Sequence, residues 1–382
     1  MARIIYVISG LSTGGAETML LKLLERIDRS RFDPMVISLT TRGEVGPRIE
    51  ALGIPVISLK MRPSFPNPLL ILRLVKIIKQ FEPEIVHTWM YHADLLGGLA
   101  ARLGGVKRVV WAIRNSNLSC GMTKPGTLIV VKTSAWLSSI LPIRIISCSA
   151  RARDIHISIG YVPHKMSVIP NGFDLLRFSP DPLARLSVRQ ELGLNEHTTL
   201  IGMIGRYDPQ KNHLGFVEAA RLIHQQRPEL HFLLAGAGVE KINDKLWVAI
   251  QKAGLNQHFH LLGRRDDMPR LMAALDLLVS SSYGEAFPNV LGEAMACEVP
   301  CVVTDVGDSA YIVGDAGSVV SPGNMAALAC ALENMLKLTV DERRDIGKRA
   351  RARVAEHFEI GKVVQQYEVF YNELFAVRRL RK

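Results

Sequence analysis

The chain is poor in cysteine and has no long hydrophobic run. Its 382 residues include five cysteines, which are scattered except for Cys297 and Cys301. No Cys or His spacing fits a metal site, so we expect no bound metal ion. An odd number of scattered cysteines is typical of a protein in a reducing compartment. The most apolar stretch, 127–146, is interrupted by Lys132 and Pro142, whereas a spanning helix needs ~18 apolar residues in a row. These absences predict a cytoplasmic protein that is either free or peripheral on the inner face of the cytoplasmic membrane.

The N-terminal segment also lacks the features of a secretory signal. MARIIYVISGL has neither a long apolar core nor a small-residue cleavage site, and it is typical of a first β-strand. The composition, 48% hydrophobic and 22% charged, is that of a globular protein. At ~150 residues per domain, the length predicts two domains.

Acidic residues are absent from the middle of the first half. Between Asp94 and Asp154 there is no Asp or Glu, but there are nine Lys and Arg. Residues 1–170 contain 22 basic and 10 acidic residues, whereas residues 171–382 contain 25 and 26. Because apolar residues such as Trp136 lie within the basic stretch, the pattern favours attraction to an anionic membrane or a polyanionic substrate. A solvated basic surface is the alternative. No nucleic-acid motif is present, so no nucleic acid is expected as a partner.

Strand and helix patterns alternate through both halves of the chain. Turn-forming residues at 168–174 separate the two series. The alternation predicts an α/β fold with two doubly wound parallel sheets. We place the domains at 1–172 and 173–360, followed by a C-terminal helix in 361–382. The main strands are predicted at 3–9, 35–39, 56–59, 85–89, 109–113 and 143–148, and then at 198–204, 231–235, 259–262, 275–279, 299–303 and 318–321.

Ligands bind at the carboxyl ends of parallel strands, and several polar residues fall there. In the first half, Gly14 and Gly15 lie between a strand and a helix, where free N–H groups suit a phosphate. A tight strand–helix turn would use the same glycines, and neither G-x-G-x-x-G nor a Walker lysine is present. His92 and Arg114 follow two later strands. Either can contact a ligand or have a structural role, as can the neighbouring His87, Trp89 and Asn115.

The second half has a cationic and an acidic pair. Arg206 and Lys211 follow the strand at 198–204, and two cations there suit a diphosphate. Glu285 lies in a loop, and Glu293 is expected about two turns into a helix with Pro288 in its first turn. Such carboxylates suit a ligand rich in hydroxyls. The alternative is a solvated loop charge and an ordinary acid near a helix N-terminus.

Five segments together resemble the GT-B glycosyltransferases of family 4, the retaining enzymes that use nucleotide-sugar donors. Each segment is weakly specific, but the five occur in order over nearly the whole chain. The resemblance implies two Rossmann-like domains facing a cleft, with the C-terminal helix crossing back to the N-terminal domain. The segments are STGGAE (12–17), IPNGFD (169–174), GRYDPQKN (205–212), LAGAG (234–238) and EAFPNVLGEAMA (285–296), which contains an E-x7-E motif.

The resemblance also implies roles for residues at matching positions. Glu285 would bind donor-sugar hydroxyls and Glu293 the ribose, while Arg206 and Lys211 would neutralise the departing diphosphate. The N–H groups of Gly14 and Gly15 would complete the phosphate site from the other domain. The remaining donor contacts would come from Gly205, Gly238, Arg264 near the base, and the backbone of Phe287, Pro288 and Asn289.

The implied activity is transfer of a sugar from a nucleotide-diphosphate sugar to a glycan or lipid-linked acceptor in surface-polysaccharide or glycolipid synthesis. Uridine is the expected base and guanosine the next, and no cofactor is expected beyond this substrate. No D-x-D motif is present, which agrees with a metal-independent family. The sequence departs from the family by lacking a histidine after the strand that ends at Ile113, so Arg114, Asn115 or His92 would contact the sugar instead. Ala286 also stands where glycine is common. A nucleotide-sugar epimerase and a basic nucleic-acid-binding protein are the alternative functions.

Overall fold

A computed structural model describes residues 1–61, 69–118 and 123–376 of the chain. It divides into two compact units. The first comprises Met1–Gly172 together with the C-terminal segment from Ile360, and the second is Phe173–Glu359. The sequence-based boundaries, 172/173 and 360/361, lie at or within one residue of these divisions.

The first unit is built on a parallel sheet of seven strands in the order β3-β2-β1-β4-β5-β6-β7. The central strands are buried on both faces, as expected for a sheet covered by helices. The strand order reverses between β1 and β4, and the carboxyl side of such a switch point is where open α/β sheets commonly bind ligands. The strands are β1 (Ala2–Ile8), β2 (Phe32–Ser38), β3 (Val56–Ser58), β4 (Ile85–Trp89), β5 (Val109–Ile113), β6 (Arg144–Ser147) and β7 (Met166–Val168).

Helices cover both faces of this sheet. Right-handed crossovers place the helices that follow β1 and β2 on one face and those that follow β4 and β5 on the other. α1 packs against α2 and α15, whereas α4 packs between α3 and α5. The helices are α1 (Gly15–Leu24), α2 (Val45–Glu50), α3 (Leu69–Phe81), α4 (Tyr91–Leu103), α5 (Pro125–Leu137), α6 (Ala150–Ser158) and α15 (Ile360–Ala376).

The C-terminal helix α15 belongs to the core of the first unit. Tyr367 and Tyr371 are fully buried, and the Tyr6 hydroxyl donates to the Tyr371 hydroxyl at 3.1 Å. The Arg108 guanidinium also donates to the Leu374 carbonyl at 2.8 Å. The prediction that this helix packs on the N-terminal domain is confirmed.

The second unit contains a parallel sheet of six strands in the order β10-β9-β8-β11-β12-β13. Its strands are β8 (Leu200–Ile204), β9 (His231–Ala235), β10 (Phe259–Leu261), β11 (Leu277–Ser280), β12 (Cys301–Thr304) and β13 (Gly317–Val320). Its helices are α7 (Pro182–Glu191), α8 (His213–His224), α9 (Asp244–Lys252), α10 (Met268–Ala274), α11 (Asn289–Ala296), α12 (Ser309–Val313), α13 (Met325–Lys337) and α14 (Val340–His357). Among the described helices of both units, none combines the length and apolar character needed to cross a membrane.

The two doubly wound parallel sheets were predicted correctly, but some elements were not. The sequence patterns did not predict β7, α5, α6, α9 and α12, which are short or follow weak periodic patterns. Pro288 was placed inside the first turn of α11, whereas it is the residue that precedes the helix. Glu293 is therefore the fifth helical residue, little more than one turn from the start. The loop before α11 is longer than the apolar pattern suggested, because the buried residues Ala286 and Phe287 continue that pattern without being helical.

Close packing at Gly292 leads to a prediction about stability. A Cβ added to this residue in α11 would overlap the ring of Phe173, which is itself fully buried. We expect Gly292→Ala to destabilise the second unit by about 1–3 kcal/mol, the usual cost of overpacking a core. Thermal unfolding followed by circular dichroism measures this. Gly126→Ala in α5 is the matched control, because a Cβ there meets no atom within 4 Å among the described residues, and an unchanged melting temperature for Gly292→Ala would contradict the prediction.

Candidate active site

The loop after β8 presents Lys211 in a constrained turn. A short 3-10 turn covers Pro209–Lys211, and the Asp208 carboxylate accepts from the Gln210 N–H at 2.9 Å. Asn212 then adopts a left-handed conformation with φ 56° and caps α8 by accepting from the Gly215 N–H at 3.1 Å. Asparagine tolerates this conformation better than most residues. The direction in which the chain leaves β8, and with it the position of Lys211, is therefore set by local hydrogen bonds.

The loop after β11 is tied to the Lys211 turn by direct bonds. The two strands are neighbours in the sheet, with Leu277 opposite Ile201. The buried Ser281 hydroxyl lies 3.1 Å from the Lys211 carbonyl and 3.0 Å from the Asn212 carbonyl. The Asn212 side-chain amide in turn donates to the Ser281 carbonyl at 3.2 Å. These reciprocal bonds join two loops that are about 70 residues apart in sequence.

The central feature of the site is an ion pair between Lys211 and Glu285. The Lys211 ammonium lies 2.5 Å from Glu285 Oε1, and the Ser282 hydroxyl donates to the same oxygen at 2.8 Å. The side chains of Lys211 and Glu285 are 22% and 13% exposed, so the pair is shielded yet reachable from solvent. The structure thus brings one member of the predicted cationic pair into contact with one member of the predicted acidic pair.

The α11 segment places the other predicted contacts of the E-x7-E motif. Phe287 is buried and stacks on Phe173 with ring centroids 6.2 Å apart, so only its backbone is available to a ligand. Pro288 precedes the helix and Asn289 begins it, and the N-terminus of a helix is a position that suits an anion. Glu293 is half-buried one turn further on.

Backbone contacts bring the predicted glycines to the same edge of the sheet. The Gly205 N–H donates to the Ala235 carbonyl at 2.9 Å, and the Tyr207 N–H to the Ala237 carbonyl at 2.8 Å. A Cβ on Gly236, whose φ is 152°, would overlap the Gly205 carbonyl. Gly238 has φ 79° and lies against Tyr207, so this loop requires glycine for both conformation and space.

The two predicted arginines of the second unit are exposed. Arg206 is 69% exposed and its guanidinium pairs with Asp208 at 3.2 Å. Arg264 directly follows Gly263, whose carbonyl accepts from the Gly236 N–H at 2.7 Å. Both side chains therefore project from loops at the carboxyl edge of the sheet, where they can reach a bound anion.

In the first unit, Gly14 and Gly15 lie at the start of α1, and Gly15 is already its first residue, whereas the sequence pattern placed both glycines in the turn before the helix. Gly14 is the N-cap with an extended φ of −160° and, as a glycine, supplies no side-chain cap. The Glu17 carboxylate occupies the space that a Cβ on Gly14 would take. The neighbouring Thr13 is bound through its hydroxyl to the Glu44 carboxylate. The N–H groups at this helix start suit an anion, and their phosphate role stays a prediction.

His92 and Arg114 follow the adjacent strands β4 and β5 of the same sheet. His92 is half-buried near the start of α4, and burial lowers the pKa of its imidazole. The neighbouring strand residue His87 is fully buried, and burial holds its pKa well below the usual range. His87 Nδ1 lies 2.8 Å from the Tyr371 hydroxyl, which makes His87 part of the core of the first unit.

Arg114 is held by the core of the first unit. Its guanidinium donates to the Tyr367 hydroxyl at 2.5 Å and to Asn171 Oδ1 at 2.9 Å. It also lies over the Trp89 ring at 3.8 Å from the centroid, a favourable cation–π distance. These contacts tie β5 to α15. The structure gives Arg114 a clear packing role, and its role as a sugar contact stays a prediction.

Three residues that position the site had no role assigned from sequence. They are Ser281, Ser282 and Asn212, which hold the Lys211 turn and the Glu285 carboxylate. The available signal was a run of serines directly after an apolar strand and an asparagine before a helix. Small hydroxyl residues at that point satisfy the backbone groups of a loop that leaves a sheet.

Protonation of His213 should make the stability of the second unit depend on pH. This first residue of α8 is buried, and burial lowers its pKa to about 4. Its Nε2 lies 3.3 Å from the Gly205 carbonyl. The unfolded chain binds a proton near pH 6.5, well above the folded value. Protonation of His213 should therefore cost no stability above pH 6.5. Below pH 6.5 the free energy of unfolding should fall by up to ~1.4 kcal/mol per pH unit until pH 4.

Urea unfolding of wild type and His213→Gln between pH 7 and pH 4 measures this contribution. The variant should lose that part of the slope while keeping the part due to other groups. Equal pH dependence in both proteins would show that His213 makes no contribution.

The described residues contain no group of three or more His, Cys, Asp or Glu placed to hold a metal ion. The positive charge assembled at this edge of the second sheet comes from Arg206, Lys211 and Arg264. With carboxylates at Glu285 and Glu293, the arrangement suits a ligand that carries both phosphates and hydroxyls.

Comparisons with known proteins support a site for a ligand of this kind. The model "Glycosyltransferase Family 4" matches residues 13–177, and "Glycosyl transferases group 1" matches residues 185–353. The UDP-Gal:α-D-GlcNAc-diphosphoundecaprenol α-1,3-galactosyltransferase of Escherichia coli is 30% identical over 80% of this chain and 79% of its own. The putative glycosyltransferase EpsF of Bacillus subtilis is 29% identical over 79% of each chain.

Solved structures show the same fold. Anabaena Alr3699/HepE in complex with UDP matches with a TM-score of 0.85 and 24% identity, over 97% of this chain and 100% of its own. Its complex with UDP and glucose gives a TM-score of 0.86 at 23% identity, over 98% and 100%. Two Rossmann-like units of this kind form the GT-B fold. The chain belongs to glycosyltransferase family 4.

Proposed function

We propose that this glycosyltransferase moves a hexose from a UDP-sugar to a lipid-linked glycan acceptor during surface-polysaccharide or glycolipid assembly. The observation that carries the proposal is the Lys211–Glu285 pair at the carboxyl ends of β8 and β11. It places a cation for the diphosphate beside a carboxylate for the sugar hydroxyls. The relative from Escherichia coli, which uses UDP-Gal and a diphosphoundecaprenol-linked sugar by name, supports both substrate classes.

The proposed roles follow from charge and position. Lys211 and Arg206 neutralise the diphosphate, Glu285 accepts from sugar hydroxyls, and Glu293 accepts from the ribose. Arg264 lies beside the base, and the N–H groups of Gly14 and Gly15 bind a phosphate oxygen. In addition, Gly205, Gly238 and the backbone of Phe287, Pro288 and Asn289 shape the donor site.

The proposed reaction retains the configuration of the transferred sugar. The bond between the sugar C1 and the diphosphate oxygen breaks as an acceptor hydroxyl oxygen bonds to C1 on the same face, and the hydroxyl proton passes to the departing diphosphate. Fixed cations aimed at the developing negative charge lower the barrier. Because Lys211 and Arg206 supply that charge, we propose that the enzyme works without a metal ion.

The enzyme's location is also part of the proposal. A lipid-linked acceptor lies in a membrane, and the first 170 residues carry a large excess of basic residues. We place the enzyme as a peripheral protein on the cytoplasmic face of that membrane.

The test is a donor panel followed by a transfer assay. UDP- and GDP-sugars are first screened by thermal shift, because a ligand that binds only the native state raises the melting temperature. The best donor is then incubated with polyprenyl-diphosphate-linked N-acetylglucosamine, and product mass and nucleoside diphosphate release are measured. We expect one hexose added per acceptor. An altered sugar nucleotide formed without acceptor would instead indicate an epimerase, and transfer to no lipid-linked acceptor would contradict the acceptor class.

A further inference from the structure

The segments that follow β4 and β5 leave neighbouring strands of the first sheet. His92 comes shortly after β4, and Asn115 comes shortly after β5. The two strands are paired, with Trp89 opposite Ala112, and β4 borders the point where the strand order reverses. Because ligands commonly bind at the carboxyl side of such a point, the relative position of these two segments decides what the first unit presents to a substrate.

The chain enters α4 through a strained residue. Met90 directly precedes the helix and has φ 74° and ψ 153°, a conformation that is essentially confined to glycine. Its N–H donates to the Ala112 carbonyl at 3.0 Å, and its carbonyl accepts from the Asp94 N–H at 2.9 Å. Strained residues persist only where the surrounding contacts enforce them, and they are common at functional sites. The direction in which α4 starts is therefore enforced by its contacts with β5.

The first turn of α4 is also bonded to the sheet by a buried acid. The Asp94 carboxyl group accepts from the Thr88 hydroxyl at 2.5 Å and from the Ala112 N–H at 3.3 Å. One turn further on, a Cβ added to Gly97 would overlap the Thr88 side chain, so the helix lies close against the strand. These contacts make the start of α4 a fixed base to which the neighbouring loop can be attached.

The Tyr91 hydroxyl makes that attachment. Tyr91 is the first residue of α4 and is buried. Its hydroxyl donates to the Asn115 carbonyl at 3.1 Å and lies 2.9 Å from Nε2 of His156 on α6. The Tyr91 ring stacks on the His156 ring with centroids 5.6 Å apart. Because Asn115 Oδ1 accepts from the Asn117 N–H at 3.1 Å, the loop after β5 begins as a turn at the point where Tyr91 holds it.

His156 fixes the position of the Tyr91 hydroxyl. His156 Nδ1 lies 2.6 Å from the Ala152 carbonyl, and a carbonyl can only accept, so Nδ1 carries the proton. Burial lowers the pKa of His156 to about 4, so the ring is neutral near pH 7 and Nε2 is an acceptor. The single Tyr91 proton is therefore shared between the Asn115 carbonyl and His156 Nε2. A shared proton makes the bond to Asn115 moderate in strength.

We propose that Tyr91 is a positioning residue for the sugar-transfer reaction. By joining the Asn115 carbonyl to the start of α4, it sets the distance between His92 and Asn115, two residues with which the first unit can contact a sugar. The Tyr91 hydroxyl is itself buried between protein groups, so it acts through the loop and not on the substrate. The inference rests on the proposed function, because its effect is measured as sugar transfer.

Kinetics of Tyr91→Phe test the inference, because this change removes only the hydroxyl. We expect kcat/KM for transfer to fall about tenfold, the effect of losing one hydrogen bond. The Kd of UDP, measured by titration calorimetry, should stay within twofold of wild type, because Tyr91 contacts none of the groups proposed to bind the diphosphate. Unchanged kcat/KM in the variant would overturn the inference, as would a tenfold loss of UDP affinity.

Tyr161→Phe is the matched control. Tyr161 is also buried, and its ring packs edge-on against the same His156 at 5.0 Å between centroids. Its hydroxyl lies 3.5 Å from the Val131 carbonyl on α5 and not at the loop after β5. This variant should keep kcat/KM within twofold of wild type. An equal loss of transfer in the Tyr91 and Tyr161 variants would show a general packing effect and contradict positioning by Tyr91.

Double variants show whether Tyr91 acts through its neighbours. Tyr91→Phe is combined in turn with His92→Ala and with Asn115→Ala. If one of these residues contacts the substrate and Tyr91 positions it, that double variant should be within about twofold of its alanine single variant, because coupled residues are not additive. Independent tenfold losses in both double variants would overturn the inference. Full activity of both alanine single variants would also overturn it, since Tyr91 would then have no contact to position.

Hydrogen exchange measures the attachment without any substrate. The backbone amides of residues 114–117 should exchange about tenfold faster in Tyr91→Phe than in wild type, and Tyr161→Phe should match wild type. Equal exchange in all three proteins would contradict the attachment. If wild type transfers sugar to no lipid-linked acceptor, that result counts against the proposed function alone. The same variants are then compared by hydrolysis of the sugar donor, in which water replaces the acceptor, and the expected losses are the same.

Discussion

Replacing Lys211 by alanine should lower kcat/KM for sugar transfer by about 100- to 1000-fold. The Lys211 ammonium is 2.5 Å from Glu285 and is the shielded cation of the proposed diphosphate site. Loss of one such fixed charge typically costs ~3 kcal/mol of transition-state stabilisation. The variant also leaves the Glu285 carboxylate with one cation fewer in a site where it is only 13% exposed. Initial rates of nucleoside diphosphate release measure the effect.

Two further variants make this result specific. Lys211→Arg keeps the positive charge but changes its geometry, and it should retain more activity than the alanine variant. Lys252→Ala removes an exposed lysine from α9 and should leave the rate unchanged. A Lys211→Ala enzyme with a normal melting temperature and turnover within twofold of wild type would remove Lys211 from the catalytic site.

Replacing Arg114 by alanine should destabilise the first unit by about 3 kcal/mol. The guanidinium binds the Tyr367 hydroxyl and Asn171 and lies on Trp89. Tyr367 is fully buried, so its hydroxyl would lose a charged partner in a place that water reaches poorly. Breaking a buried charged network commonly costs this much. At about 2–4 °C per kcal/mol, the melting temperature should fall by roughly 6–12 °C.

The Arg114 experiment also distinguishes its two possible roles. Arg114→Lys keeps the charge but cannot reproduce the planar fork, so it should recover only part of the stability. The exposed Arg144 on β6 gives a control, because Arg144→Ala should change stability by less than about 0.5 kcal/mol. A normal melting temperature combined with a large fall in kcat/KM would instead identify Arg114 as a direct sugar contact.

Lys211 and Arg114 show what sequence patterns can predict and what they cannot. Both residues follow an apolar strand, and both were placed by sequence at the carboxyl edge of a parallel sheet, which the structure confirms. Their partners were not predictable from local spacing. Glu285 is 74 positions from Lys211, and Tyr367 is 253 positions from Arg114. Only the order of strands and the course of α15 bring these groups together.

The α11 segment shows a second limit. The apolar pattern around Pro288 extends into the loop because Phe287 is buried against Phe173, so the helix was predicted to begin too early. Burial by packing produces the same apolar signal as burial on a helix face, and the two cannot be separated by periodicity. The omission of α5 has a related cause, since its outer side carries Ile129 and Trp136 and blurs the amphipathic pattern.

The sequence by itself determined the α/β class, the two series of strands, the residues at the strand ends and the acid-free basic stretch. These properties depend on local alternation, turn chemistry and composition, which are readable along the chain. Tertiary structure decided which of those residues meet. It paired Lys211 with Glu285 through the adjacency of β8 and β11 and enclosed Arg114 beside α15. It also gathered the basic stretch with α3 into one exposed helix layer, because contacts between distant segments arise only when the sheet and its helices pack.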